Sequence, residues 1–137
     1  MVLKLVGVGT ATCTQRVMLI AHELGVPFEL VNIDFAKLDH KAPAYVAVQP
    51  FGQTPYLDDD GFKMYESRAI CRYLALKYGG IAKGLIPDPA SKDLHKTALF
   101  ELAASTEVCN FDPSVSGLAY ENIFYPSVTL LLYAAVT

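Results

Sequence analysis

The sequence has 137 residues and a formal net charge of −3, with 53% hydrophobic and 18% charged residues. A chain of this length can bury one core, or one small domain with part of a second. Because the balance is acidic and no long run of Lys or Arg occurs, the chain lacks the electrostatic footprint of a protein that binds nucleic acid or an anionic membrane. We therefore expect neither as a partner.

The cysteines favour a reducing compartment. Cys13, Cys71 and Cys109 are odd in number, widely spaced and without a Cys/His metal pattern, so we expect free thiols, no disulfide and no metal site. The N-terminus lacks an apolar stretch long enough for a signal peptide, and no stretch approaches 18 apolar residues. These features predict a cytoplasmic protein.

The first third of the chain has the pattern of a strand, a helix and a second strand. Residues 2–6 and 28–33 read as strands, and the segment between them has helical periodicity from about Thr12 to Leu24, with Gly25 as a C-terminal stop. This order favours a parallel pair with a right-handed crossover. A short helix is predicted from Pro43 to about residue 48.

The stretch 49–74 carries the strongest functional signal. A turn at 52–55 precedes two short strands, which flank an acidic turn at 58–61. Three adjacent carboxylates followed by glycine are typical of a solvated hairpin tip. A helix follows, and Glu66-Ser67 supplies the expected cap chemistry. At Thr54-Pro55 the residues alone favour an ordinary tight turn over a cis bond.

The predicted order βαβ-α-ββα indicates a thioredoxin-like α/β domain over residues 1–80. Residues 81–87 read as a linker. An incomplete all-α domain is predicted over 88–126, with a helix that starts at Asp88-Pro89 and kinks at Pro113. Residues 127–137 form an uncharged apolar tail.

Several short motifs of this sequence together resemble the phi class of glutathione transferases, in a form similar to that of fungal members. The resemblance covers about residues 1–126. It depends on the combination of motifs, since each motif alone is weak evidence for the family. The motifs are ATCTQRV at 11–17, HELGVPFEL at 22–30, DHK at 39–41, QPFGQTP at 49–55, DDDGF at 58–62 and ESRAICRYL at 66–74.

The resemblance implies a binding site for glutathione, which has two carboxylates, one ammonium and a thiol. Glu66 and Ser67 would hold the γ-glutamyl end, where the helix start also offers N–H groups to a carboxylate. Thr54, before a cis Pro55, would pair with the cysteinyl backbone. The remaining contacts would come from Gln53, His40 and Lys41, the last two at the glycine carboxylate.

The sequence departs from the phi pattern at the thiol. The serine that donates its hydroxyl to the sulfur is replaced by Ala11, a loss of about 1.5–3 kcal/mol for one hydrogen bond to a charged group. Three neighbours could compensate for this loss, and Thr12 and Cys13 are the candidate catalytic residues. Thr10 and Thr12 carry hydroxyls within one residue of Ala11, and the alternative role for both is to cap the helix. Cys13 lies near a helix N-terminus, where thiolates are stabilised, although a buried small side chain is the simpler interpretation.

A second departure lies at the C-terminal end, where residues 127–137 do not resemble the further helices of a family member. We interpret the chain as truncated or mis-spliced within its helical domain, and a faulty gene boundary would give the same sequence. The resemblance implies conjugation of glutathione, as co-substrate and without a cofactor, to small hydrophobic electrophiles, and it implies a homodimer. The alternatives are a non-catalytic glutathione or ligand-binding protein, a thiol transferase that uses Cys13, and a fragment that does not fold stably.

Overall fold

The computed structural model describes residues 2–125 of the chain. It divides into two compact units, and the division falls between Asp88 and Pro89. Within residues 2–125 no helix combines the length and the apolar character that crossing a membrane requires.

The first unit has the predicted order βαβ-α-ββα, and the thioredoxin-like fold is confirmed. Its sheet has the order β2-β1-β3-β4. Strands β1 and β2 are parallel, as expected for a strand-helix-strand crossover, and the other pairs are antiparallel. The elements are β1 (Leu3–Gly7), α1 (Thr12–Leu24), β2 (Phe28–Asn32), a 3-10 turn (Asp39–Lys41), α2 (Pro43–Val46), β3 (Tyr56–Asp59), β4 (Phe62–Tyr65) and α3 (Ser67–Lys77).

The core of this unit lies between the sheet and the helices α1 and α3. Leu5 and Leu57 come from the two central strands, Val17 from α1, and Ile70 and Leu74 from α3. The last two are four residues apart, so they lie on one face of their helix. This shared core holds both helices against the central strands.

The hairpin tip differs from the prediction. Its turn consists of Asp60 and Gly61, both with positive φ (57° and 89°), so β3 is two residues longer than expected, whereas β4 has the predicted bounds. Asp59 lies in β3 and is buried, whereas a solvated tip was expected. That part of the interpretation is wrong because alternation along the strand turns Asp59 inward, where Tyr73 and Lys77 of α3 donate hydrogen bonds to its carboxylate.

The second unit is helical from Leu94 to the end of its described part. Helix α4 (Leu94–Thr106) begins later than predicted, because the Asp93 side chain, rather than Asp88, caps it by accepting from the Lys96 N–H at 3.1 Å. A π-helical segment (Glu107–Phe111), α5 (Asp112–Ala119) and a second π segment (Tyr120–Phe124) continue the run.

Pro113 lies in the first turn of α5, immediately after the first π segment. The wider i to i+5 spacing, seen in the bond from the Asp112 N–H to the Glu107 carbonyl, lets the helical path pass the proline. The apolar tail predicted at 127–137 lies outside the described residues.

Candidate functional site

The end of strand β1 brings three segments of the first unit together. Gly7 is packed so closely that a Cβ there would lie 2.9 Å from the Thr14 Oγ1 and 3.0 Å from the Pro55 Cβ. Thr14, buried in α1, places its hydroxyl oxygen 3.3 Å from that of Thr54. The start of α1 and the segment before β3 are therefore fixed against each other.

The bond between Thr54 and Pro55 is cis, as the resemblance implied and in contrast to the ordinary turn that the residues alone favoured. Pairing between β1 and β3 begins at Val6 and Tyr56, so Thr54 lies beyond the end of the ladder. This geometry leaves residues 53–55 outside the ladder at the end of a central strand, where another backbone could pair with that of Thr54.

Tyr45 supports this segment from α2. Its hydroxyl donates a 2.7 Å hydrogen bond to the carbonyl of Gln53, whose own side chain is exposed. Burial raises the pKa of the Tyr45 phenol to about 12, and the neighbouring Tyr56 adds to the shift. The phenol therefore remains a donor at neutral pH.

His40 and Lys41 lie in the 3-10 turn beside the loop before Gln53. The Lys41 Nζ donates to the carbonyls of Gly52 and Phe51, at 3.1 and 3.3 Å. The His40 ring packs edge-on against Phe35, with ring centroids 4.6 Å apart, and its buried Nδ1 has no hydrogen-bond partner among the described residues. The turn thus holds one imidazole and one ammonium group close to the segment 53–55.

Gly52 makes the contact between the His40–Lys41 turn and the loop before Gln53 sterically feasible. Its φ is +58°, and a Cβ there would lie 2.8 Å from the His40 carbonyl oxygen and 2.7 Å from the Lys41 Nζ. Glycine adopts this left-handed conformation at no steric cost, and it leaves room for the neighbouring backbone. The loop and the turn therefore depend on glycine at this position.

Glu66 and Ser67 lie at the N-terminus of α3. The expected side-chain cap is absent: Glu66 occupies the cap position with φ +71°, and no side chain accepts a hydrogen bond there. This part of the prediction is wrong because the positive φ belongs to a conformation unlike the extended one of a capping residue. Glu66 is exposed, whereas Ser67 is buried and accepts a 2.8 Å hydrogen bond from the Arg16 Nη1.

The start of α1 carries the residues predicted for the thiol. Ala11 is the cap residue, and no side chain bonds the free N–H groups of this helix end. Thr12 is exposed, and Cys13 is half-buried with its Sγ 3.6 Å from the Arg16 Nη1. The threonine hydroxyls thus do not cap the helix, and Cys13 has a polar contact in addition to its packing.

Three supporting residues were missed by sequence reasoning. Thr14 and Tyr45 act through hydrogen bonds to segments eight or more residues away, and Arg16 contacts a serine 51 positions later. For Arg16 a local signal existed, since it lies three residues after Cys13 and therefore on the same helix face.

An open groove of about 520 Å³ runs along the outer face of α1 from the predicted thiol position. Leu19, which lines it, is 68% exposed. The other lining residues are Thr12, Gln15, Arg16, Met18 and His22.

The mixed four-stranded sheet, with a cis proline directly before its central strand β3 and the start of α1 packed against that proline's segment, defines a thioredoxin-like domain. Residues 1–76 match the family described as glutathione S-transferase, N-terminal domain. The chain belongs to this family.

Similar proteins agree on the family and on the phi class. The chain is 49% identical over 123 residues to glutathione S-transferase PM239X14 of Arabidopsis thaliana, covering 88% of this chain and 55% of that protein. It is 38% identical over 126 residues to glutathione S-transferase F12 of the same plant, covering 92% and 57%. The phi-class resemblance is confirmed, and the chain spans just over half the length of these relatives.

Solved structures show the same fold. The crystal structure of glutathione transferase F7 from Populus trichocarpa is similar with a TM-score of 0.80 and 33% identity, over 93% of this chain and 59% of that one. Glutathione S-transferase I from mais, in complex with an atrazine glutathione conjugate, gives a TM-score of 0.80 with 27% identity, over 93% and 57%. The helical part of this chain is therefore partial relative to these structures.

Proposed function

We propose that this chain binds glutathione on its first unit and presents the thiol to a small hydrophobic electrophile for conjugation. The observation that carries the proposal is the segment of Gln53, Thr54 and cis Pro55, which lies between the Lys41 turn and the start of α3. A complex of mais glutathione S-transferase I with a glutathione conjugate supports the ligand class.

The glycine end of glutathione is proposed to bind at His40 and Lys41. A carboxylate prefers cationic or N–H donors, and an ammonium that already donates to two carbonyls is held in a defined position. Since the His40 Nδ1 is buried, the Nε2 side of the ring is the side proposed to face the ligand.

The centre of glutathione is proposed to pair with the backbone of Thr54, in the manner of one strand pairing with another. The Tyr45 bond to the Gln53 carbonyl fixes the orientation of the preceding peptide group. The exposed Gln53 amide is available for a side-chain contact.

The γ-glutamyl end is proposed to bind at the start of α3. Glu66 is exposed and supplies a carboxylate for the ammonium group. The N-terminal N–H groups of the helix and the Ser67 hydroxyl suit the carboxylate, because the helix dipole favours an anion there.

The thiol is proposed to lie beside Thr12, where Ala11 lacks the hydroxyl of the phi pattern. Thr12 is then the candidate donor to the thiolate, and the groove that begins there is proposed to receive the electrophile. The mechanism is nucleophilic attack by the glutathione thiolate, whose proton has passed to solvent, on an electrophilic carbon. With an aryl halide the C–S bond of the thioether forms, the carbon–halogen bond breaks and halide leaves, and no cofactor is needed.

A non-catalytic glutathione-binding protein is the first alternative, and Ala11 at the thiol position favours it. Calorimetric titration with glutathione and a conjugation assay with an aryl halide, run on the same sample, separate the two. Saturable binding with a rate above the uncatalysed reaction supports the enzyme. Saturable binding at the background rate supports the alternative, and no binding defeats both.

A glutathione-dependent thiol transferase is the second alternative, favoured by the contact between Arg16 and the Cys13 Sγ at the start of α1. The Cys13 thiolate would attack the glutathionyl sulfur of a mixed disulfide and release the other thiol. Glutathione would then attack the resulting bond, giving glutathione disulfide and free Cys13. Cys71 is unsuited to this role because burial raises its thiol pKa to about 11.

Cys13→Ser tests this alternative, with Cys109→Ser as the matched control because Cys109 is exposed and lies in the second unit. The transferase interpretation predicts loss of mixed-disulfide reduction only in Cys13→Ser. Equal activity in both variants and in the parent chain would exclude it.

The homodimer and the cytoplasmic location are also parts of the proposal. The family resemblance supports the first, and the odd number and wide spacing of the cysteines support the second. Sedimentation velocity at several concentrations tests the first, and imaging of a tagged chain tests the second. An aggregate at all concentrations would favour a fragment that does not fold stably, the third alternative.

A further inference from the structure

The Arg16 guanidinium joins the starts of the two helices that flank the proposed site. Its Nη1 lies 2.8 Å from the Ser67 Oγ on α3 and 3.6 Å from the Cys13 Sγ on α1. We infer that Arg16 is a positioning residue, which acts through Ser67 to orient the γ-glutamyl carboxylate and set its distance from the thiol. This inference rests on the proposed glutathione site.

The bond to Arg16 fixes the direction of the Ser67 hydroxyl. A hydroxyl has one hydrogen to donate and two lone pairs that accept. Because the Ser67 Oγ accepts from a cationic N–H, its hydrogen points away from Arg16, and the charged donor polarises the O–H bond. The hydroxyl is thereby a stronger donor towards the helix start where the carboxylate is placed.

The burial of Ser67 maintains this orientation of its hydroxyl. Ser67 is only 6% exposed, so water cannot easily take over the role of Arg16. The two residues are 51 positions apart, and their bond spans the α1–α3 contact. The relative placement of the two helix starts is therefore defined by a charge-assisted bond as well as by apolar packing.

The same nitrogen also approaches the end of the site where the thiol is proposed to lie. Cys13 is the second residue of α1, and Ala11 supplies no hydroxyl there. A fixed positive charge between two helix N-termini favours negative charge at both ends of the ligand, the carboxylate and the thiolate. Arg16 thus links the binding of the γ-glutamyl carboxylate at Ser67 to the orientation of the thiol near Cys13.

The test is a set of calorimetric titrations of Arg16→Met and of the parent chain with three ligands: glutathione, an analogue without the γ-glutamyl α-carboxylate, and γ-glutamylcysteine, which lacks the glycine. Arg16→Met is expected to bind glutathione and γ-glutamylcysteine about tenfold more weakly than the parent chain, since one charge-assisted bond is lost. Its affinity for the decarboxylated analogue is expected to equal that of the parent chain.

Lys83→Met is the matched control, because it removes one positive charge from an exposed position in the segment that follows α3. Arg16→Lys keeps the charge and one donor, so it is expected to recover part of the affinity. Ser67→Ala and the double variant Arg16→Met/Ser67→Ala complete a double-mutant cycle. In the Ser67→Ala background, Arg16→Met is expected to cause no further loss of glutathione affinity.

The outcomes separate the inference from the function on which it rests. If the parent chain binds none of the three ligands, the glutathione site and the role of Arg16 both fail. If the parent chain binds but Arg16→Met weakens all three ligands equally, or leaves all three unchanged, the glutathione site stands and the role of Arg16 is overturned.

Discussion

Asp59 of β3 and Lys77 in the last turn of α3 form an ion pair in which Nζ lies 2.5 Å from Oδ2. The carboxylate is buried, and it also accepts from the hydroxyls of Tyr73 and Tyr78. Burial by itself would raise the pKa of Asp59, but the bonds from Lys77 and the two tyrosines outweigh it and lower the pKa below its ordinary value. The pair therefore ties the hairpin to the helix.

Asp59→Asn is expected to destabilise the first unit by about 1–2 kcal/mol at neutral pH, because the charge-assisted bonds to the carboxylate are lost. Urea unfolding followed by circular dichroism measures the change. Asp60→Asn is the control, since Asp60 is exposed at the hairpin tip. Equal effects of the two substitutions would contradict a role for the buried carboxylate.

The Asp59 carboxylate is expected to make the unfolding free energy depend on pH. The folded-state pKa of Asp59 is lowered, so its contribution to stability is fully present above the unfolded value of about 3.9. The contribution is lost as the pH falls through the lower pKa of the folded state. The difference in unfolding free energy between the parent chain and Asp59→Asn is therefore expected to be constant near neutrality and to shrink below about pH 4. A constant difference down to pH 2 would contradict this.

Gly52→Ala is expected to cost about 1–2 kcal/mol from its positive φ, and more from the collision of the new methyl group with the His40 carbonyl. Gly84→Ala provides the control, because Gly84 has φ +71° with nothing within 4 Å of an added Cβ. The first variant is expected to unfold at lower urea concentration and to bind glutathione more weakly than the second. Identical behaviour would show that the contact between loop and turn is unimportant.

The sequence predicted the elements of the first unit well where the signal is local. The apolar stripe of α1 and its stop at Gly25, which has φ +70°, are such cases. Asp59 could not be placed this way: a run of three aspartates before glycine resembles a turn, and the residues that stabilise it inside come 14 to 19 positions later.

The start of α4 was predicted at Asp88, because a proline follows it. The structure instead uses Asp93, whose side chain accepts from the N–H three residues further on. In the proposed site, contiguous sequence motifs predicted the residues near Thr54 and Ser67. The bond between Arg16 and Ser67 depends on how two helices pack, and no pattern within either helix encodes it.

Ala11→Ser is expected to increase both stability and conjugation. Ala11 is the cap residue of α1 and makes no side-chain bond, so a serine there can accept from a free N–H at a gain of about 1 kcal/mol. Its hydrogen can at the same time be donated to the glutathione sulfur, which is expected to lower the pKa of the bound thiol by about one to two units.

Thermal unfolding and the pH profile of the conjugation rate measure these two effects separately. Ala11→Gly is a suitable control for the backbone at the cap position, since it brings no hydroxyl. A gain in stability with an unchanged pH profile would place the thiol away from the start of α1.

Tyr45→Phe is expected to weaken glutathione binding several-fold and to cost about 1 kcal/mol of stability, because the Gln53 carbonyl loses its 2.7 Å hydrogen bond. The ring packing against Tyr56 is retained in this variant. Titration calorimetry and urea unfolding check both effects, and a normal affinity would show that the orientation of this peptide group does not matter.

The central claim is that glutathione binds to the segment 53–55, the turn at 39–41 and the start of α3. Titration of the isotopically labelled chain with glutathione, followed by backbone amide chemical shifts, tests it most directly. We predict saturable shifts that are largest at Lys41, Thr54, Glu66 and Ser67, and negligible shifts at the hairpin tip around Gly61. No saturable shifts, or shifts confined to the outer face of α1, would contradict the account.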